Sequence, residues 1–570
     1  MRSLDIVDLH DYYDFSSNIS EKAKEISTQV LKAQYRASSP LIYRLERQYG
    51  ICRHIMIPAP SDALVFQTIT EHLSPLLEKA QPTKKAYFSR DRHSLKLPHQ
   101  FRETRYPWDI LWPKFQKDIW KFTDACSYLV VTDITNFFDN IGLRELRHIV
   151  SSRIEVKEVI LDLLFNIIEQ LAWTPDYLPT SLKGLPTINV ESFRLLPHVM
   201  LFEIDEVLNI RSNGNFVRWM DDINIGVNSK DTAYQLLGEV NDVLKSRGLA
   251  LNLSKTIIYT ATEAKSHFMM DENIYLDEVD KLDPGASDFV QKKVEFVNRF
   301  RSHLRRTDLR NWDRVTKRYF TIAAHLKVTQ LQRYAYGLYL NYPSIRNNIA
   351  RYLTVLGFTK SSAKIVLKLL RDVKRYDDVT LFELCRLITD WEIPRNSSGT
   401  EFIKAISKIL SLPKSDFDLY CYLFFLAKYG EPYRLMNLII HKREQWRNKQ
   451  FLARQVVSVL PRIMPFKKNF AMQLLDEQMT VGPRDAASVA ANIHSLLTVE
   501  KLSSHYLYQY LFPPMPQRPY PLPKYLILTS ILLSTSLKKA EKKKVCVKAK
   551  EHISDPFYLH WLTRFALFDE

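Results

Sequence analysis

The sequence predicts an α+β chain: a mixed first half followed by a large, all-α second half. Three observations predict it. Glycine is scarce, 13 residues in 570, where about 7% is usual. That excludes collagen-like and Gly/Ser low-complexity chains, and it argues against a large all-β architecture with its many tight turns. Strand signals are confined to residues 127–260. Residues 286–570 lose them and alternate helical stretches with brief breaks at Pro343, Gly357, Pro394, Pro413, Gly430, Pro461 and Gly482.

Taken in order, residues 1–125 read as mixed and mainly helical. Within them a basic stretch runs from Lys84 to Lys121, with ten Lys/Arg against four Asp/Glu. Tyr128–Thr132 is a buried strand, β-branched or aromatic at four of five positions. Phe216–Trp219 and Ile223–Val227 are two strands around a short polar turn. Ser229 is an N-cap for a helix over Lys230–Arg247, and Gly248 its C-terminal stop. Thr256–Thr260 is another short strand. The second half fits irregular helix pairs with no fixed repeat period. Six prolines between Pro513 and Pro523 predict a stiff connecting loop.

The formal net charge is +17, and it is unevenly spread. Residues 1–285 carry 33 basic and 39 acidic groups, and residues 286–570 carry 47 and 24. A positive half beside a slightly negative one predicts a polyanion handled mainly by the positive part. The first residues hold Asp5, Asp8, Asp11 and Asp14, unlike a secretory signal. The longest apolar runs, near Leu419–Ala427 and Leu526–Leu533, are too short to span a bilayer. Cys52, Cys126, Cys385, Cys421 and Cys546 form no metal or disulfide pattern. A cytoplasmic protein with free thiols and no membrane is expected.

Two stretches carry chemistry. Asp133 ends the strand Tyr128–Thr132, and a buried carboxylate needs a cation or hydrogen bonds to compensate it. Asp221 and Asp222 stand side by side between two strands, where neighbouring carboxylates repel. Alone, each feature also suits a helix cap or an Asp-containing turn. Together, on adjacent strands, the three acids would meet at one sheet edge. That arrangement suits two Mg²⁺ ions roughly 3.5–4 Å apart, with Mn²⁺ as a substitute. One ion would lower the pKa of a 3′-hydroxyl, and the other would neutralise the triphosphate and the leaving pyrophosphate.

The order of these motifs resembles the palm of a bacterial reverse transcriptase. DITNFFDNI (133–141) is similar to its first acidic motif. KGLPTINVESFRLLPHVMLFEID (183–205) resembles its Gly-x-Pro motif, WMDD (219–222) its YxDD box, and GLALNLSKTIIY (248–259) the motif that follows. The resemblance implies Asp133, Asp221 and Asp222 as catalytic metal ligands, with Lys255 near the leaving phosphate. It implies Phe138 as an aromatic gate against a 2′-hydroxyl, hence dNTP substrates. Gly184 and Ser192 would line the nascent pair, and Arg90, Arg92 and Lys96 would be finger residues holding the triphosphate. Three departures stand out. Trp219 and Met220 bulk up the box, and Thr187-Ile188 replaces Gln-Gly in a region that positions the template. They leave room for weakly templated or template-free synthesis.

After the palm, ten basic residues stand against three acids from Lys292 to Arg318. Arg299, Arg301, Arg305, Arg306, Arg310 and Arg314 are the expected nucleic-acid contacts of a thumb. The spacings 301/305 and 306/310 suggest a shared helical face, with Trp312 and Tyr319 available to stack on bases. A second lysine cluster, Lys538 to Lys550, reads as a solvated helical face or a further nucleic-acid patch.

A reverse-transcriptase palm before a long helical region resembles the abortive-infection and defence-associated bacterial enzymes. The implied fold is fingers, palm and thumb followed by a HEAT-like helical repeat domain. The expected divisions are 1–285 (fingers and palm), 286–340 (basic thumb-like segment) and 341–570 (helical repeats). The implied function is Mg²⁺-dependent, untemplated or protein-primed DNA synthesis in antiphage defence. RNA template or guide, DNA product and a homo-oligomer are the expected partners. The alternatives are a non-catalytic nucleic-acid-binding scaffold and a conventional RNA-templated enzyme of group II intron type.

Overall fold

The computed structural model describes residues 6–88, 108–175, 182–188, 190–283, 285, 287–307, 309–502 and 505–564, with the backbone alone at 108–110, 191, 192 and 505. Among the described residues, seven strands form two sheets. Strands β1 (Leu41–Gln48) and β2 (Ile51–Ile57) make an antiparallel hairpin. Strands β3 (Ala86–Tyr87), β4 (Tyr128–Thr132), β5 (Phe216–Trp219), β6 (Asp222–Val227) and β7 (Ile257–Thr260) form a five-stranded sheet in the order β3-β5-β6-β4-β7. Among the described strand pairs only the short β3–β5 pair is parallel.

The five-stranded sheet is buried on both faces, and side-chain alternation divides it. Val130, Phe216, Ile223 and Ile225 point into a core built with helices 143–153, 158–171, 202–211 and 230–246. Leu129 and Val217 point the other way, onto Phe115, Ile119 and Phe122 of helix 108–125. Gly226 permits that second contact, because a Cβ there would lie 2.7 Å from Cys126 Sγ and 3.1 Å from Phe122 Cβ. Ser229 caps helix 230–246 as expected, its side chain accepting from the Thr232 N–H.

The β1–β2 hairpin departs from the helical reading of residues 1–125. Its two-residue turn, Tyr49-Gly50, has φ of +55° and +77°, the mirror-image geometry that fits strand twist. Such turns usually announce themselves as Asn-Gly or Asp-Gly, and a tyrosine at the first position conceals this one.

Beyond residue 311 the helices stack alternately. Helix 312–325 packs on 346–356, which packs on 380–390 and then on 416–429, while 332–341, 360–372 and 397–410 form a second row. The two long apolar runs lie inside this region. Every residue from Leu419 to Tyr429 and from Leu522 to Leu532 is buried. No described helix is long and apolar enough to cross a membrane, and all five cysteines are free thiols.

Residues 6–17 lie against the far end of the helical region. Arg454 donates Nε and NH2 to Asp8 and NH1 and NH2 to Asp14, at 2.7–3.0 Å. Gln455 donates to Asp8, and Ser488 to Asp14. Burial alone would raise both carboxyls, but the Arg454 charge overrides it and lowers them.

Candidate active site

Register places the acids. Thr132 pairs with Ile223 across β4–β6, and Trp219 pairs with Asp222 across β5–β6. Asp133 therefore leaves β4 at the level where Asp222 begins β6, and Asp221 occupies the two-residue turn with Met220. The adjacency that the two acidic motifs require is present.

The turn is strained. Met220 has φ of +54°, which costs a non-glycine residue roughly 1–3 kcal/mol. Arg218, fully buried, holds it. Its NH1 donates to the Met220 carbonyl at 2.9 Å, while Nε and NH2 grip both oxygens of the equally buried Asp205 at 2.7 and 2.5 Å. The sequence reading missed Arg218. A basic residue inside an apolar strand three positions before an Asp pair was the available signal, since such a charge must find a buried partner.

The electrostatics are those of crowded anions. Burial, then the charges of Asp222 and Asp133, push the Asp221 carboxyl up to about 6. Asp133 is buried and ion-paired with Lys255 Nζ. Arg314 NH2 lies 3.4 Å from Asp222 Oδ2, with its guanidinium 5.6 Å from the Trp112 ring. Trp112 in turn meets Trp219 edge-on at 5.1 Å. No three His, Cys, Asp or Glu side chains among the described residues are gathered to hold one ion. The donor set nevertheless fits hard divalent cations: three carboxylates, one of them destabilised as an anion by burial and by the other two.

The flanking motifs meet around this edge. Residues 250–252 run beside 133–135, with Thr135 N–H donating to Ala250 O and Asn252 N–H to Asp133 O. Gly184 N–H donates to Ile141 O, and Leu185 N–H to Phe138 O. Gly184 has φ of +96°, and a Cβ there would meet the Asp139 carbonyl at 3.4 Å. Phe137 is buried and Phe138 only partly so, which leaves Phe138 the one able to face a ligand. Ser192 lies on the 3₁₀ turn 191–194, with its side chain outside the described set. Arg90, Arg92 and Lys96 lie outside the described residues.

A second guanidinium was missed. Burial, then the charge of Arg47, lowers the pKa of Arg53, half-buried on β2, against the opposing charges of Asp139 and Asp221. A half-buried cation near the acids is suited to a phosphate. The β1–β2 hairpin that carries it was itself hidden in the sequence.

The basic segment differs from its helical reading. Helix 289–303 ends at His303, whose carbonyl accepts from Trp312 Nε1. Arg305, Arg306 and Arg310 lie in the connection that follows, so the pairs 301/305 and 306/310 share no helical face. Arg310 NH1 donates to the Lys255 carbonyl. Arg299 binds Glu295 and sits 3.8 Å from the Tyr275 ring centre, and Arg301 donates to Asn298. Trp312 and Tyr319 are core residues, 3% and 0% exposed, packed with Phe296, Phe300 and His303. They are not available to bases, because the bend after His303 turns them inward.

Residues 65–297 match the family model described as reverse transcriptase (RNA-dependent DNA polymerase). They form a reverse transcriptase domain. That domain is the fold of a nucleotidyltransferase that polymerises DNA. The acid cluster, the Gly184 segment and Lys255 all lie within the reverse transcriptase domain, whereas the β1–β2 hairpin, Arg310 and Arg314 lie outside the matched span. No curated protein matches the chain. Among solved structures, telomerase from Candida albicans with a TWJ fragment of telomeric RNA is similar over 69% of this chain and 70% of its own, at 10% identity and a TM-score of 0.29. Telomerase from Candida tropicalis, also with a TWJ fragment, is similar over 69% and 68%, at 10% identity and 0.28.

Proposed function

We propose that the chain is a Mg²⁺-dependent DNA polymerase that joins dNTPs in bacterial antiphage (abortive infection) defence, by template-independent or protein-primed synthesis, as a cytoplasmic homo-oligomer. The observation that carries the polymerase reading is the meeting of Asp133, Asp221 and Asp222 at one sheet edge, with Asp221 destabilised as an anion by burial and by its neighbours. These acids would hold Mg²⁺, or Mn²⁺ in its place. The bound ions would acidify the 3′-hydroxyl and neutralise the triphosphate.

The protein's own groups have definite tasks in this reading. Lys255, released from Asp133 when cations bind, is free for the leaving phosphate. Phe138 lies beneath the sugar and leaves no room for a 2′-hydroxyl. Arg53 neutralises the incoming triphosphate. The exposed Arg301, Arg305, Arg306 and Arg310 hold the nucleic acid. The bulky Trp219 and Met220, and the use of Thr187 and Ile188 in pairing with Met56 of β2, support synthesis without ordinary template reading. The stacked helices after residue 311 support the defence reading and its HEAT-like repeats.

The test is incorporation of labelled dNTPs by purified protein with Mg²⁺, wild type against Asp221→Asn. Equal incorporation by both overturns the assignment. Sequencing the product separates template-free synthesis (random or homopolymeric tracts) from conventional RNA-templated copying. The engagement of Asp133 and Asp222 by Lys255 and Arg314 favours one second reading, a non-catalytic nucleic-acid scaffold. Salt-dependent RNA or DNA binding with no dNTP turnover would support it.

A further inference from the structure

Both outer edges of the β1–β2 hairpin are occupied, each by a different part of the molecule. On the β2 side, Met56 N–H donates to Thr187 O at 2.9 Å and Met56 bridges Ile188. This is the segment that also carries Gly184. On the β1 side, the helical region supplies the edge. Arg44 N–H donates to Asp378 Oδ2 at 2.8 Å, Asp378 N–H to Arg44 O at 3.0 Å, and Glu46 N–H to Asp377 Oδ2 at 3.1 Å.

One buried ion pair fixes the hairpin to the helices. Glu46 Oε1 accepts from Gly50 N–H at the hairpin turn, and Oε2 accepts from Arg346 NH1 at 2.7 Å. Arg346 is 6% exposed. Its remaining bonds stay within the helical region, Nε to Tyr339 O at 2.9 Å and NH1 to Thr380 Oγ1 at 3.1 Å. A buried pair with its hydrogen bonds filled tolerates little displacement. Arg53 sits between the two anchored edges, paired in register with Leu45, on the strand whose Met56 pairs with the Thr187–Ile188 segment. Gly184 of that segment lies against the Asp139 carbonyl, and the charges of Asp139 and Asp221 act on Arg53.

We infer that Arg346 is a positioning residue: through Glu46 and the β1–β2 hairpin it sets Arg53 at the acid cluster, so that the helical region governs how tightly the site holds a nucleoside triphosphate. The inference rests on the polymerase reading above. Its physical basis is the steep distance dependence of a charge-assisted hydrogen bond. A displacement of about 1 Å can cost up to 10²-fold in a positioned interaction.

The experiment is a double-mutant cycle on dNTP incorporation with Mg²⁺, using the full chain as wild type, Arg53→Ala, Arg346→Ala and the double variant. Each single variant is expected to raise KM for dNTP about tenfold with kcat changed less than about twofold, and the double variant to be no worse than Arg53→Ala. Arg346→Lys should recover part of the loss. Multiplicative effects in the double variant overturn the inference. So does a lowered melting temperature in Arg346→Ala with KM unchanged. If Arg346→Ala does not fold, Asp378→Ala at the outer pair displaces the same strand and is read the same way. No incorporation by the wild type sinks the polymerase reading and this inference with it, whereas wild-type incorporation with a KM indifferent to Arg346 and Asp378 sinks the inference alone.

Discussion

Lys255 Nζ is paired with Oδ2 of Asp133, an acid 122 residues earlier in the chain. Arg314 approaches Asp222 from helix 312–325 in the same manner. Two cations thus stand against two of the three carboxylates at the end of β4 and β6. Any divalent ion that binds there competes with them. The Arg314 pair is half-exposed and so is worth no more than about 1 kcal/mol. Arg314→Gln should tighten Mg²⁺ binding by about two- to fivefold while weakening DNA binding, and titration calorimetry reads both. Looser Mg²⁺ binding in this variant would show that Arg314 does not compete.

The Asp221 carboxyl, raised to about 6 by burial and by Asp222 and Asp133, makes stability depend on pH. A carboxyl raised in the folded state favours folding while protonated, and that advantage is lost as pH rises through the folded value. In EDTA, urea denaturation of wild type should lose on the order of 2 kcal/mol relative to Asp221→Asn between pH 4 and pH 7. Saturating Mg²⁺ should close the gap at pH 7. A pH-independent difference between the two proteins would refute the crowding of these acids.

Phe137 and Phe138 are chain neighbours with ring centres 5.5 Å apart, yet they should behave differently. Phe138→Ala is expected to raise the rNTP-to-dNTP ratio of kcat/KM at least tenfold with little loss of stability. Phe137→Ala should instead cost about 3–5 kcal/mol of stability, as core phenylalanines do, with that ratio unchanged. Parallel kinetics and thermal melts distinguish them. Unaltered sugar selection in Phe138→Ala removes the gate assignment.

Arg218→Met would strand the Asp205 carboxylate and free the Met220 carbonyl, costing about 3–5 kcal/mol. Adding Asp205→Leu should recover most of that stability, because an apolar pair of similar size replaces the ions. Activity should stay low in the double variant, because nothing then holds the Met220–Asp221 turn. Full recovery of kcat along with stability would mean that Arg218 serves packing alone.

The palm strands were legible because each is a short β-branched run ended by an acid or a turn. Tyr128–Thr132 and Phe216–Trp219 coincide with the observed strands. The Ser229 cap and the breaks at Gly357, Gly430 and Gly482 were legible from local backbone chemistry. What stayed hidden was nonlocal or lacked its usual signal. The β1–β2 hairpin turns on Tyr49-Gly50. The bend after His303 depends on Trp312 reaching back to its carbonyl, so Arg301 and Arg305 looked like helix neighbours. Arg53 and Arg218 acquire meaning only from acids that the fold brings to them.

The clasp between Arg454 and the pair Asp8 and Asp14 has a consequence for how the chain is made. During synthesis residues 6–17 leave the ribosome well before their partners at 454, 455, 488 and 492, which follow more than 400 residues later. Until then Asp8, His10 and Tyr13 lack these partners, and segment 6–17 must wait in water or on a chaperone. Closing so long a loop is an entropic cost deferred until residues 454–492 are made. Emergence of residues 454–492, rather than of the reverse transcriptase domain, is therefore the moment at which segment 6–17 and the helical region become one body.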